Sequence, residues 1–127
     1  MKKIYFAHSV TDFGTERQER AIASLSEHWE VVSPDFPEHQ VGYAKEGMAY
    51  FERLAASCDL LAFMRFPNGS IGAGVGKEIE AAKGAGVRWI LEWFDGQTFP
   101  VYGDPTPILS VSQTRALIER LRSEVAA

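Results

Sequence analysis

The residues with the most chemistry in their spacing are Asn68-Gly69-Ser70-Ile71-Gly72-Ala73-Gly74-Val75-Gly76-Lys77-Glu78-Ile79-Glu80. Glycines at 69, 72, 74 and 76 let a ligand approach the main chain closely. An apolar run with the character of a strand precedes them (Leu60-Leu61-Ala62-Phe63-Met64), and a helical segment ending near Gly84 follows. The free amides at the start of that helix attract anions. Glu78 is expected in its first turn, where the helix dipole favours an ionised carboxylate. A glycine cradle that holds a carboxylate beside an anion site suits chemistry on a phosphorylated or sugar-containing substrate. The alternative is a tight strand-to-helix turn carrying an ordinary dipole-pairing glutamate.

Nucleotide-cofactor motifs fit this stretch poorly. Counted from Gly72, the third glycine of a dinucleotide fingerprint falls one residue early, at Gly76, and counted from Gly74 its place is taken by Ile79. The turn also follows the third strand rather than the first, although Glu92 could imitate the ribose-binding acid. In a phosphate loop of the Gly-Lys-Ser/Thr kind the residue after Lys77 would carry a hydroxyl, and here it is Glu78. No bound cofactor is expected.

These groups have to be positioned by elements legible in the chain. Residues 4–7 read as a buried strand ending in the loop 8–14. Thr15 with Gln18 fits a capping box ahead of a helix with Ala21, Ile22 and Leu25 inward. A second strand covers 29–32, a second helix 44–57 and a third strand 59–64. A fourth strand at 87–93 has the continuous apolar character of a sheet buried on both faces. Residues 95–107 read as loop and 108–111 as a short fifth strand, and Ser112 would cap a last helix. This alternation predicts one α/β domain over residues 1–127, a three-layer flavodoxin-like fold with a parallel sheet of order 2-1-3-4-5. In that order the ligand crevice opens beyond strands 1 and 3, so the Ser9 loop and the Glu78 turn face each other.

Composition narrows the function classes. The chain has 127 residues, 46% hydrophobic and 24% charged, as in an ordinary globular protein. A net charge of −4 lacks the clustered basic footprint of a nucleic-acid-polymer binder. One cysteine, Cys58, forms no internal disulfide, and His8, His28 and His39 lack metal-ligand spacing, so no metal site is expected. There is no run of membrane-spanning length and no signal-peptide core, and the expectation is a cytoplasmic protein with no membrane partner.

Tyr5-Phe6-Ala7 at the first strand, Cys58-Asp59 opening a buried strand, and Gly74-Val75-Gly76-Lys77-Glu78-Ile79 with Ala82 resemble the nucleoside 2-deoxyribosyltransferase family, including its branch of 2′-deoxynucleoside 5′-monophosphate N-glycosidases. The resemblance spans residues 3–92. It implies that Glu78 is a nucleophile toward the anomeric carbon of a nucleoside or nucleotide, that Tyr5 orients it, and that the chain is a homodimer or higher homo-oligomer. An aromatic strand residue that merely packs in the core is the other reading of Tyr5. In the phosphate-accepting branch the first loop and the glycine turn hold the 5′-phosphate, which here implicates Ser9, Ser70 and the amides around Gly72, Gly74 and Gly76. Arg65, at the end of strand 3, is a further candidate for pairing an anion, or else an ordinary solvated arginine.

Two positions depart from the family pattern. An acid for the departing base is usual eight residues before the strand-opening aspartate; that position is Phe51, and the acid Glu52 is one residue off, about 100° round a helix, so Glu52 is the candidate catalytic acid only with a shorter helix-to-strand joint. The transferases also have an aspartate six before the nucleophile, where this chain has Gly72. The second departure favours hydrolysis over base exchange. The alternatives are a non-catalytic nucleotide sensor and an NAD glycohydrolase of TIR-like kind.

Overall fold

A computed structural model describes residues 1–126. In chain order it contains β1 (Lys3–Ala7), a 3₁₀ turn (Val10–Asp12), α1 (Glu16–Ser26), β2 (Glu30–Val32), α2 (Pro37–Glu46), α3 (Met48–Ser57), β3 (Leu60–Phe63), α4 (Ala73–Gly84), β4 (Trp89–Phe94), β5 (Gln97–Pro100) and α5 (Val111–Ala126). The sheet order is β2-β1-β3-β4-β5. The first four strands are parallel and β5 is antiparallel to β4. The flavodoxin-like three-layer expectation holds, with an antiparallel strand at one edge.

Period-two alternation along the strands assigns each side chain to a layer. Ile4, Phe6, Leu60, Ala62 and Met64 pack with Ala21 and Leu25 of α1. Tyr5, Ala7, Leu61 and Phe63 point to the other face, against Ala55 of α3 and Val75, Ile79 and Ala82 of α4. Tyr5 is therefore committed by parity to the face that α4 covers. Asp59 closes the opposite end of the sheet, where its Oδ2 accepts the Lys3 amide at 2.8 Å.

Several boundaries differ from those read in the sequence. The fifth strand is not 108–111: Ile108 forms only an isolated bridge with Ile71, because Pro107 and the start of α5 leave it no room to extend. The strand lies instead in the expected loop, as β5, after a two-residue turn in which Asp95 and Gly96 both have positive φ, 47° and 86°. That is the backbone of a tight hairpin between right-twisted strands. The Val101 amide donates inward to Ile90 O at 2.8 Å. Alternation then turns the Pro100 nitrogen, which has no hydrogen, toward the free edge, where it blocks addition of another strand.

The expected helix over 44–57 is two helices, broken at Gly47, whose φ is +68°. α2 starts earlier, with Pro37 pre-set for its first turn, and none of its residues is fully buried. Thr15 caps α1 by accepting the Gln18 amide at 3.2 Å, while Gln18 Oε1 reaches back to the Gly14 amide at 2.8 Å. The cap of α5 is Ser110 rather than Ser112. Its Oγ accepts the Gln113 amide at 3.1 Å, and its own amide donates to Gln113 Oε1 at 2.9 Å, a reciprocal capping box. Among the described residues no helix is long and apolar enough to cross a membrane.

Gly76 is required by packing. A Cβ there would sit 2.8 Å from Ile108 Cγ2. Overpacking of this kind costs ~1–3 kcal/mol, offset by the ~1 kcal/mol gained when alanine replaces a helical glycine. Gly76→Ala should lower stability by about 1 kcal/mol in denaturant melts. Adding Ile108→Ala should bring the alanine at 76 to a net gain; a persistent loss would show that the clash lies elsewhere.

Candidate functional site

Glu78 belongs to the second turn of α4, not the first, since the helix begins at Ala73. The dipole of the helix start is thus further from its carboxylate than the sequence suggested, and burial governs its chemistry instead. Glu78 is only 4% exposed and Tyr5 is fully buried. The Tyr5 hydroxyl donates to Glu78 Oε2. Burial pushes the Glu78 carboxyl up to about 8; the Tyr5 hydrogen bond opposes the shift and the Glu52 carboxylate adds to it. Burial first, then the Glu78 charge, push the Tyr5 phenol far up as well, so its oxygen keeps its proton and remains the donor. Glu78 Oε1 has no protein partner among the described residues and is the atom left for a ligand.

The carboxyl lines a cavity of about 390 Å³, within the size range of small-molecule sites. Ser9, Gly72 and Gly74 line it too, as the switch-point geometry requires. Ser9 Oγ is partly engaged, accepting the Thr11 amide at 3.2 Å and sharing a hydrogen with Thr11 Oγ1 at 2.9 Å. At the start of α4 the Ala73 amide is taken by Thr114 Oγ1 at 2.9 Å, and the Gly76 amide by Gly72 O at 2.9 Å. The Gly74 and Val75 amides have no intrahelical acceptor, and both residues line the cavity.

The remaining candidate residues are placed elsewhere. Gly76 does not line the cavity and packs on Ile108. Ser70 serves the turn itself: its Oγ donates to Asn68 Oδ1 at 2.6 Å and its carbonyl accepts the Phe66 amide at 2.9 Å. Arg65 faces a different cavity, on the α1 side of the sheet edge. Its Nε donates to Glu92 at 2.9 Å, and its Nη1 donates to the carbonyls of Gly69 and Thr106 at 3.0 and 2.8 Å. Arg65 thus fastens the glycine turn to the loop before α5, and Glu92, the would-be ribose acid, is its partner. On α3, Phe51 lines the cavity. Glu52 is half-buried and is not part of the cavity lining; it acts on Glu78 only through its charge.

Other functional groups were not legible in the sequence. His8 is 4% exposed, and burial pushes its imidazole down to about 4. Its Nδ1 lies 2.9 Å from Phe6 O, a carbonyl that can only accept, so Nδ1 carries the hydrogen. Nε2 then accepts from Gln18 Nε2 at 2.8 Å. Both ring nitrogens are committed, and His8 is a rigid neutral wall rather than a proton carrier. Tyr43 and Phe51 stack at 5.1 Å between ring centroids and form an aromatic wall, with Phe13 and Phe66 also lining the space. Thr114, Ile118 and Arg122 of α5 close it. A carboxyl set in an aromatic-walled cavity with unfilled amides can bind a flat ring and an anionic group while presenting one oxygen to a carbon centre.

No family model matches this chain, and no curated protein does.

Proposed function

We propose that the chain cleaves the N-glycosidic bond of a nucleoside or nucleoside 5′-monophosphate, with Glu78 as nucleophile. The observation that carries this reading is the Glu78 carboxyl, buried at the cavity wall with Oε2 held by the Tyr5 hydroxyl and Oε1 free. The resemblance to nucleoside 2-deoxyribosyltransferases gives the same pair the same roles. In the first step an electron pair of the ionised carboxylate forms a bond to the anomeric carbon as the bond to the base nitrogen breaks. The base departs with that pair and takes up a proton. Water then cleaves the glycosyl ester, releasing the sugar and restoring the carboxylate. The aromatic wall of Tyr43 and Phe51 supplies a stacking surface for the base. Gly72 occupies the place of the transferases' aspartate, which favours water over a second base as acceptor.

A second reading rests on Phe51. The cavity wall holds a phenyl ring where the resemblance places the acid for the departing base, and a site without that acid suits a nucleotide sensor that binds without turnover. Chromatography of wild-type reactions across nucleosides, their monophosphates and NAD decides between the two. The expected result is free base from a nucleoside or nucleoside monophosphate. Release of nicotinamide alone would favour NAD glycohydrolase chemistry, and no release from any of them would favour the sensor.

A further inference from the structure

Breaking the bond from a sugar to a base nitrogen leaves an electron pair on the base, and a neutral base departs readily only if it takes up a proton. Phe51 stands in the cavity wall where the resemblance places the acid for that proton, and a phenyl ring has none to give. The other proton-bearing side chains of the wall are almost all spent. Glu78, as the nucleophile, must be ionised to act. His8 gives its Nδ1 hydrogen to Phe6 O, while its Nε2 accepts from Gln18. The Thr114 hydroxyl donates to Ser110 O at 2.8 Å, and Ser9 Oγ shares one hydrogen with Thr11 Oγ1. A guanidinium such as that of Arg122 does not give up its proton in a protein. Tyr43 is left. Its ring stacks on Phe51, with 5.1 Å between centroids and 15° between planes, so it borders the place of the missing acid. Its hydroxyl is engaged by no hydrogen bond among the described residues. At 42% exposure the side chain meets both the cavity and solvent, so a proton that it gives up is readily restored.

We propose that the Tyr43 hydroxyl is the general acid for the departing base, a phenol on α2 in the role of the carboxylic acid that position 51 does not supply. This inference rests on the reading of the chain as an enzyme that cleaves N-glycosidic bonds and names the proton donor that reading needs. As the bond to the anomeric carbon breaks, its electron pair goes to the base. The Tyr43 O–H proton passes to a nitrogen or carbonyl oxygen of the base and leaves a phenolate. Water then attacks the anomeric carbon of the glycosyl ester. The pair of the breaking C–O bond returns to Glu78, and the proton released by the water returns to Tyr43.

Tyr43→Phe tests this on the whole chain, since it keeps the ring and its stack on Phe51 and removes only the hydroxyl. The probes are the nucleosides and 2′-deoxynucleosides of the common bases with their 5′-monophosphates, together with the N7-methyl forms of the guanine compounds. An N7-methylated guanine carries a positive charge while attached to the sugar and leaves as a neutral molecule, so its departure needs no proton. Tyr43→Phe should lower kcat/KM roughly 100- to 10,000-fold for the neutral bases and leave release of 7-methylguanine within about threefold of wild type, after subtraction of the uncatalysed rate. Tyr43→Ala, which removes the ring as well, should slow both classes. Equal losses for charged and neutral bases in Tyr43→Phe would mean that the hydroxyl serves packing or binding, and would overturn the proposal. So would release of neutral bases that is unchanged in Tyr43→Phe, or a wild type that releases 7-methylguanine alone. In each of these cases the cleavage reading stands. No base release from any probe would overturn that reading and this inference with it.

Discussion

Glu78→Gln should abolish base release, by more than roughly a thousandfold in kcat, while ligand affinity stays within about tenfold. The amide keeps the shape and one acceptor for the Tyr5 hydroxyl but has no electron pair to offer an anomeric carbon. Single-turnover assays check the rate and calorimetry the binding. A variant with a tenth of the wild-type rate would remove Glu78 from the nucleophile's role. The same substitution should alter stability in a pH-dependent way. The Glu78 carboxyl titrates at about 8 in the folded chain, against an ordinary 4.5. Folding therefore favours its protonated form; the benefit is full below about 4.5 and is lost as pH rises through about 8. Glu78→Gln never bears that burden, so its melting temperature should gain on wild type as pH rises from 5 to 9, by the equivalent of a few kcal/mol. Parallel melting curves across that range would show a carboxylate that is not desolvated.

Base release by wild type should climb about tenfold per pH unit and level off only near pH 8. The reason is the same buried carboxyl: the nucleophile must be ionised, and burial keeps it protonated through neutrality. Tyr5→Phe takes away the one hydrogen bond that favours the ionised form, so the rising limb should shift to higher pH and the plateau fall roughly 10- to 100-fold. Profiles of kcat/KM against pH for both proteins measure this directly. A wild-type limb at 4 to 5, or a Tyr5→Phe profile that coincides with it, would mean that another group limits the reaction.

The sheet order was legible because apolar runs alternate with helix-forming stretches, and a parallel sheet buried on both faces writes that alternation plainly. Tyr5 and Glu78 came together for the same reason: strand parity and the switch point place them on one face at one edge. Short elements were harder to read. Asp95-Gly96 is a hairpin turn by its residue types, but Thr98 and Phe99 are too brief an alternation to announce a strand, and the Gly/Pro-rich surroundings read as loop. Gly47 splits what the apolar spacing of 48–55 presents as part of one helix. The roles of Gly76 and Arg65 depend on partners distant in sequence, Ile108 and Glu92, which local pattern cannot supply. The α5 part of the cavity wall is hidden in the sequence because Leu117, Ile118 and Leu121 form an ordinary apolar stripe. Nothing in the sequence marks that Ile118 and the arginine one turn later lean over a cavity while Leu117 is buried.

The wall formed by Gln40 and Tyr43 belongs to α2, a helix with no fully buried residue that ends at the Gly47 break. Its amides should exchange with solvent much sooner than those of α3 and α4, which are held by the core. A ligand resting on Tyr43 would then slow exchange selectively over residues 37–46. Part of the free energy of binding would go into quieting that helix, so the stability of one wall would enter the affinity alongside the groups that touch the ligand.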